Sequence, residues 1–335
     1  FPLLYPKDRT DQIELLSAEI RQTLGKRPRG MTVYASCWDA SLVTSFQTCG
    51  MEYVVLDSSL IPPAKQSYLP VIMSDRGKSV TIVPAYRKHK PAPDVPPEEY
   101  LAALFASVKK SVRGDVYDAA FSERFVDMQL THAEFQKLLQ SGYMQRLAEN
   151  AASQFSDTIR FSHPGAYLKT AGARVPAFIT AGIDAEIAQW AKVPYTAVTK
   201  SDGYPVTIYD FLQTYPESQA LCNRMLYVSI LANQCHGDKA RKKVAREKIW
   251  AAQSGESFVC TASAPLVRAA YRRIAFKNLS EAEKIIRECS EFEEAASRFD
   301  YNADGVDEYM FRMAGFTACI TRADGAICEL DVMES

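Results

Sequence analysis

Three kinds of side chain in this sequence have the type and placement for chemistry. They are carboxylates beside predicted strands, two tryptophans at element ends, and an oxygen-rich hexapeptide near the C-terminus. Asp57 ends the β-prone run 52–56 (EYVVL), where a carboxylate can accept hydrogen bonds from a ligand's hydroxyls or simply form the turn. Trp38 and Trp190 fall near predicted strand or helix ends, where aromatic rings can stack on a ligand or pack at a core rim. Asp300-Tyr301-Asn302-Ala303-Asp304-Gly305 imitates the opening of a calcium loop, with oxygen ligands alternating before a glycine. The twelfth position of that loop is Phe311 and its flanks read as strands, so an Asx-rich turn explains it more simply.

Other chemistries lack their residues. The four histidines, at 89, 132, 163 and 236, show no metal-ligand spacing, and no Gly-rich phosphate loop is present. Neither a metal nor a cofactor is expected. Arg241, Lys242, Lys243, Arg246 and Lys248 form a basic helix face, read as solvated or interdomain rather than phosphate-binding. Net charge is −1, which provides no global field for nucleic acid, and no apolar run approaches the roughly 20 residues a membrane helix needs. Nucleic acid and membrane insertion are therefore not expected. Eight cysteines, at 37, 49, 222, 235, 260, 289, 319 and 328, include no Cys-x-x-Cys pair, which points to reduced thiols and a cytoplasmic setting. The sequence opens on Phe1, so a native start, and any signal peptide, would lie upstream.

The elements that must position these residues follow from periodicity. Ile13, Leu16, Ile20 and Leu24 recur at helical spacing and Gly25 stops the helix; 31–34 is β-prone, 41–49 helical and 52–56 a strand, together a βαβ unit. Residues 71–73 and 80–83 flank Arg76-Gly77-Lys78, predicting a hairpin-like insertion beside the main sheet, closed by Pro84. After a proline-rich connector at 90–97 the pattern predicts a helix over 98–110 and a strand over 115–121. Phe135, Leu138, Leu139, Met144 and Leu147 then mark a helical stretch, followed by a strand over 158–161 and a short helix over 183–191. Strand–helix alternation to about Val193 favours a parallel sheet or barrel. Residues 217–235, 238–253 and 262–290 read as three successive helices, and the chain finishes in short β-rich runs punctuated by Asp304-Gly305 and Asp324-Gly325.

Three blocks, in order, carry a family resemblance. The segment from Phe1 through MTVYASCWDASLVTSFQTCGMEYVVLD resembles the middle of the catalytic barrel of glycoside hydrolase family 57, with Pro28-Arg29-Gly30, Trp38 and Asp57 matching without a gap. GDKARKKVAREKIWAAQSG is similar to part of the helical domain of that family's α-amylase and 4-α-glucanotransferase branch. The stretch from FDYNADG to ELDVM is similar to the start of that branch's C-terminal β-domain. The fold class implied is α/β: a (β/α) barrel of the family 57 type, incomplete at its N-terminus, over 1–195. A helical bundle over 196–297 and the start of a β-sandwich domain over 298–335 follow. Missing barrel strands would leave sheet edges for another protein chain to cover.

What the resemblance implies for catalysis is negative. Family 57 enzymes are retaining, and retention needs two carboxyl groups about 5 Å apart, one as nucleophile and one as acid/base. Laying Ala35-Ser36-Cys37-Trp38-Asp39-Ala40 on the family's Glu-Arg-Val-Trp-Glu-Pro puts Ala35 at the nucleophile and Ser36 where a basic residue stands. The family's His-Asp-Asp-Gly-Glu-Lys-Phe-Gly finds its best match at 119–126, where the paired aspartates become Ala120 and Phe121 and Glu123-Arg124-Phe125 keeps the later residues; a bulge would instead bring Asp118 into the acid/base role. The reading is a pseudoenzyme acting as a scaffold or as a binder of α-glucan or maltooligosaccharide, with Trp38, Asp57, Glu123 and Trp190 as substrate-binding candidates. The alternative is an active 4-α-glucanotransferase or α-amylase using displaced carboxylates such as Asp39, Asp57, Asp118 or Glu123.

Overall fold

The computed structural model describes residues 1–61, 69–87, 89–113, 124–128, 130–171, 174–191, 205–258, 269–289 and 292–333, with the side chains of 110–113 and 186 left aside. Pro at its first position starts α1 (Pro6–Leu24), and Gly25, left-handed at φ 74°, ends it. Then come β1 (Gly30–Thr32), α2 (Leu42–Thr48) and β2 (Tyr53–Asp57), with β1 and β2 parallel, as the βαβ reading expects. Gly30 is there for lack of a side chain: an added Cβ would lie 2.1 Å from the ring of Tyr53.

The hairpin β3 (Val71–Asp75) and β4 (Lys78–Tyr86) forms, but inside the sheet rather than beside it. The strand order is β1-β2-β4-β3-β6, with β5 (Phe125–Val126) also pairing β4 and β6 (Val175–Pro176) pairing β3. β4 runs parallel to β2 and β5, so its nine residues form the sheet's spine. Pro84 does not close the hairpin; it sits within β4 where β3 pairing has ended at Ile82 and β5 pairing has not begun at Ala85, a place that spares a ladder donor.

α3 (Pro97–Arg113) follows the connector as expected, whereas the strand predicted over 115–121 lies outside the described residues. The helical stretch after it divides at left-handed Gly142 into α4 (His132–Gln140), with a full capping box at Thr131 and Glu134, and α5 (Tyr143–Ser153). The strand predicted over 158–161 is irregular: Thr158 and Ile159 donate their amides to the Phe155 carbonyl in a turn that trails α5, and Phe161 is exposed. α6 (Pro164–Thr170) and the short α7 (Ala185–Ala188) complete this part.

The chain then enters α8 (Ile208–Thr214), capped by Thr207 and Asp210, which the periodicity had missed. α9 (Pro216–Gln234), α10 (Lys239–Ala252) and α11 (Ala269–Cys289) pack against one another. Gly237 opens the turn into α10 because an added Cβ would lie 1.9 Å from the Cys289 carbonyl at the end of α11. Four antiparallel strands close the described chain: β7 (Ala295–Phe299), β8 (Glu308–Met313), β9 (Phe316–Ile320) and β10 (Ile327–Val332), ordered β10-β9-β8-β7. The main apolar core is one cluster running from Val54, Leu56 and Ile82 in the sheet, through Trp38 and Phe46, to Met225, Ile249 and Leu279 in the three helices. The first helix contributes less than its spacing suggests: Ile13 is buried, while Leu16 and Leu24 are 61% and 73% exposed.

Candidate functional site at the carboxyl edge

β1, β2, β4 and β5 run in one direction, so their carboxyl ends gather on one edge of the sheet, the edge where sites of open and closed α/β sheets form. Tyr34-Ala35-Ser36 leave β1 in a short 3₁₀ turn, and Ala35 and Ser36 both adopt the left-handed region, at φ 51° and φ 45°. Two consecutive non-glycine residues there are costly and persist only where surrounding bonds hold them. Those bonds are visible. The Ala35 carbonyl accepts from the Asp184 amide (2.9 Å), and the buried Ser36 hydroxyl accepts from the Asp57 amide (2.8 Å) and from Arg87 Nη1 (2.6 Å).

Arg87, just past β4, completes the arrangement. Its guanidinium is 3% exposed and gives Nε and Nη2 to Asp127 Oδ2 at 3.0 and 2.7 Å. One guanidinium thus ties the chain after β1 to the chain after β5, with a charge-assisted pair at one end and a hydroxyl at the other. Neither Arg87 nor Asp127 had been singled out from the sequence; only an arginine one residue beyond the long β4 hinted at it.

Three further described carboxylates cap local turns. Asp57 Oδ1 accepts from the Ser59 amide (2.8 Å), Asp39 Oδ1 from the Ser41 amide (2.8 Å) and Asp184 Oδ1 from the Ile187 amide (3.2 Å). For Asp57 the turn-forming role is therefore the one in view. Burial pushes the Cys37 thiol up to about 11, opposed by the nearby N-terminal amine and aided by Asp184 and Asp39, so it is protonated at neutral pH.

Of the tryptophans, Trp38 cannot stack on a ligand. It is 1% exposed, its indole N–H donates to the Ile179 carbonyl (3.1 Å), and its backbone bridges Gly182. The ring is a core plug that docks the 179–184 segment against the turn after β1. Trp190 is half-buried at the rim of that core, its carbonyl accepting from the Tyr215 hydroxyl (2.8 Å). Asp118, Ala120, Phe121 and Glu123 lie outside the described residues. The Asp300–Gly305 loop is the Asx turn: Asp300 accepts from the amides of Asp304 and Gly305, and Asp304 from Val306. Among the described residues no group of three or more His, Cys, Asp or Glu could hold a metal ion. Nor is any described helix long and apolar enough to cross a membrane.

With this geometry in place, the comparisons with known proteins bear on it. Residues 1–92, which include β1, the strained turn, β2 and Arg87, match the family model described as Glycosyl hydrolase family 57. Over that segment the chain is similar to that family. Beyond the matched segment, 98% of the chain is 22% identical to Alpha-amylase 1 of Dictyoglomus thermophilum, and 97% is 23% identical to the 4-alpha-glucanotransferase of Thermococcus litoralis. Each alignment takes in 50% of the relative, so the chain spans about half the length of the curated relatives it matches. The crystal structure of the Thermococcus litoralis 4-alpha-glucanotransferase superposes with a TM-score of 0.69 at 21% identity, over 99% of this chain and 53% of that one. The chain is therefore a mixed α/β protein with the backbone arrangement of that structure over nearly its whole length.

Proposed function

We propose that this chain is a catalytically silent family 57 relative of α-glucan-processing enzymes, whose fold serves as a scaffold or a glucan-binding surface. The observation that carries the reading is the turn after β1. The residue matching the family's nucleophile is Ala35, and its neighbour Ser36 is held by the Arg87–Asp127 pair. Retention needs a carboxylate to attack the anomeric carbon and a carboxyl group about 5 Å away to move the proton. A methyl group does neither. Asp127, Asp57, Asp39 and Asp184 each serve a guanidinium or a backbone amide, which suits a structural edge more than a reacting pair.

The finer architecture belongs to the same proposal: a partial (β/α) barrel over 1–195, a helical bundle over 196–297 and the first strands of a β-sandwich over 298–335, in the cytoplasm, with another protein chain over the open sheet edge. For glucan binding, Asp57 at the edge and half-buried Trp190 at the rim of the core remain the candidates, and Glu123 a candidate by resemblance. Purified protein incubated with maltooligosaccharides is expected to release no shorter or longer products. Product formation would overturn the proposal in favour of an active 4-α-glucanotransferase or α-amylase using displaced carboxylates, and single substitutions at Asp39, Asp57, Asp118 and Glu123 would find them. Affinity electrophoresis through glycogen then separates the two silent roles: retarded migration marks a glucan binder, unchanged migration a scaffold.

A further inference from the structure

Cys319 and Cys328 are nine positions apart, on neighbouring antiparallel strands, and the pairing between those strands is irregular at one point. Ile327 opposes Ile320 and Glu329 opposes Cys319, so Cys328 is the extra residue of a β-bulge and both Cys328 and Glu329 face Cys319. A bulge re-aims the inserted side chain, which regular alternation would have sent to the opposite face from Glu329. The consequence is a close approach of the two residues: Cys328 Sγ donates to the Cys319 carbonyl at 3.3 Å. Cys319 is fully buried and Cys328 is exposed. Burial, and then the Cys328 side chain, keeps the Cys319 thiol protonated far above the ordinary range.

We propose that Cys319 and Cys328 form a redox-active dithiol that closes to a cross-strand disulfide when the protein meets a hydroperoxide. Exposed Cys328 reacts first: its sulfur takes one oxygen from the hydroperoxide, giving a sulfenic acid and releasing an alcohol or water. The Cys319 sulfur then attacks the Cys328 sulfur, the S–O bond breaks, and the hydroxide leaves with the Cys319 proton as water. Two thiols are oxidised by two electrons, and one peroxide O–O bond is reduced. The disulfide fixes the bulge and with it Glu329, whose carboxylate lies 3.0 Å from Arg224 Nε of α9 and accepts from the Tyr301 hydroxyl at 2.7 Å. Oxidation would therefore act at the joint between the helices and the C-terminal sheet.

The test is peptide mapping after hydrogen peroxide, with and without later dithiothreitol. Arg312 and Arg322 place Cys319 in the tryptic peptide 313–322 and Cys328 in the peptide starting at Ala323, so the disulfide joins two otherwise separate peptides. The expected result is that linked species, 2 Da lighter than the sum of its parts, returned to free peptides by the reductant. In Cys319→Ser the Cys328 sulfenic acid should persist and be trapped by dimedone; in Cys328→Ser, peptide 313–322 should stay reduced. The proposal is overturned if peroxide leaves both thiols alkylatable, or if Cys328 ends only in disulfides between chains or in over-oxidised forms while Cys319 stays reduced.

Discussion

Two arginines with acidic partners each tie separate elements of this molecule together, and they are built differently. Arg87 at the carboxyl edge of the sheet is 3% exposed, and its carboxylate partner among the described residues, Asp127, keeps 27% of its side-chain surface in water. Arg224 on α9 is wholly enclosed with Glu283 of α11, 2.7 Å away, and lies 3.0 Å from both Glu329 and Asp331 of β10. Glu283 in turn takes Nη2 of Arg287 at 2.8 Å and the Thr317 hydroxyl at 2.8 Å. Burial works against ionisation of Glu283, yet Arg224 and then Arg287 and Thr317 hold its carboxyl below the usual range. The first arrangement is a clasp that water can enter, and the second is a closed network in which each charge depends on the others. Where solvent can take over a lost partner, substitution is tolerated; where it cannot, it is not.

The largest expected effect breaks the closed network. Arg224→Met leaves three carboxylates, the fully buried Glu283 and the partly buried Glu329 and Asp331, around an apolar side chain and should cost about 3–5 kcal/mol in urea unfolding. Arg87→Met leaves Asp127 to hydrate and Ser36 with its bond to the Asp57 amide, and should cost about 1–2 kcal/mol. Equal losses would mean that solvent access does not separate the two sites.

A second difference is pH dependence. Burial, aided by Asp331, raises the Glu329 carboxyl to about 7, with Arg224 and the Tyr301 hydroxyl opposing the rise. A folded-state value above the ordinary one means that Glu329 contributes stability fully below about pH 4.5 and loses it as pH rises through about 7. The other groups around the network are Tyr227, Glu283, Arg287, Glu308 and Arg312, so the reading comes from the variant rather than from the bare slope. Unfolding measured from pH 5 to 8 should show stability falling with pH in the parent and in Arg87→Met, and a flatter profile in Glu329→Gln. An unchanged slope in Glu329→Gln would place the titration elsewhere.

How far this was legible in the sequence differs along the same line. Helices and strands set by local spacing, such as α3, β2 and the run of three helices, emerge from periodicity, and the family resemblance carried through to the backbone superposition. Both arginine sites are non-local. Arg87 and Asp127 are 40 residues apart, and Arg224 and Glu283 59 apart, so no window or motif contains either pair. The hairpin's place inside the sheet was hidden for a related reason: a turn signal at Arg76-Gly77 shows that two strands pair, not which strand lies on the far side. Trp38 was misjudged because a tryptophan near a strand end looks the same in sequence whether its ring faces a cleft or Phe46, whose ring centroid lies 6.3 Å away.

The smallest expected effect lies at Ala35, inside the clasp. Relief of its left-handed strain by Ala35→Gly is worth about 1 kcal/mol. Loss of a buried methyl and the greater freedom of glycine in the unfolded chain oppose it with a similar sum. The net change should therefore stay within about 1 kcal/mol of zero. Ala35→Val, with a branched side chain in the same backbone region, should cost more than 1 kcal/mol. If Ala35→Gly costs as much as Ala35→Val, packing of the methyl group and not the backbone turn holds this site. A near-neutral glycine variant would mean that the Ser36, Arg87 and Asp184 bonds keep the turn whatever side chain stands at 35. On that result the edge keeps its shape independently of the residue at position 35, which is the condition that the proposed loss of a nucleophile there requires.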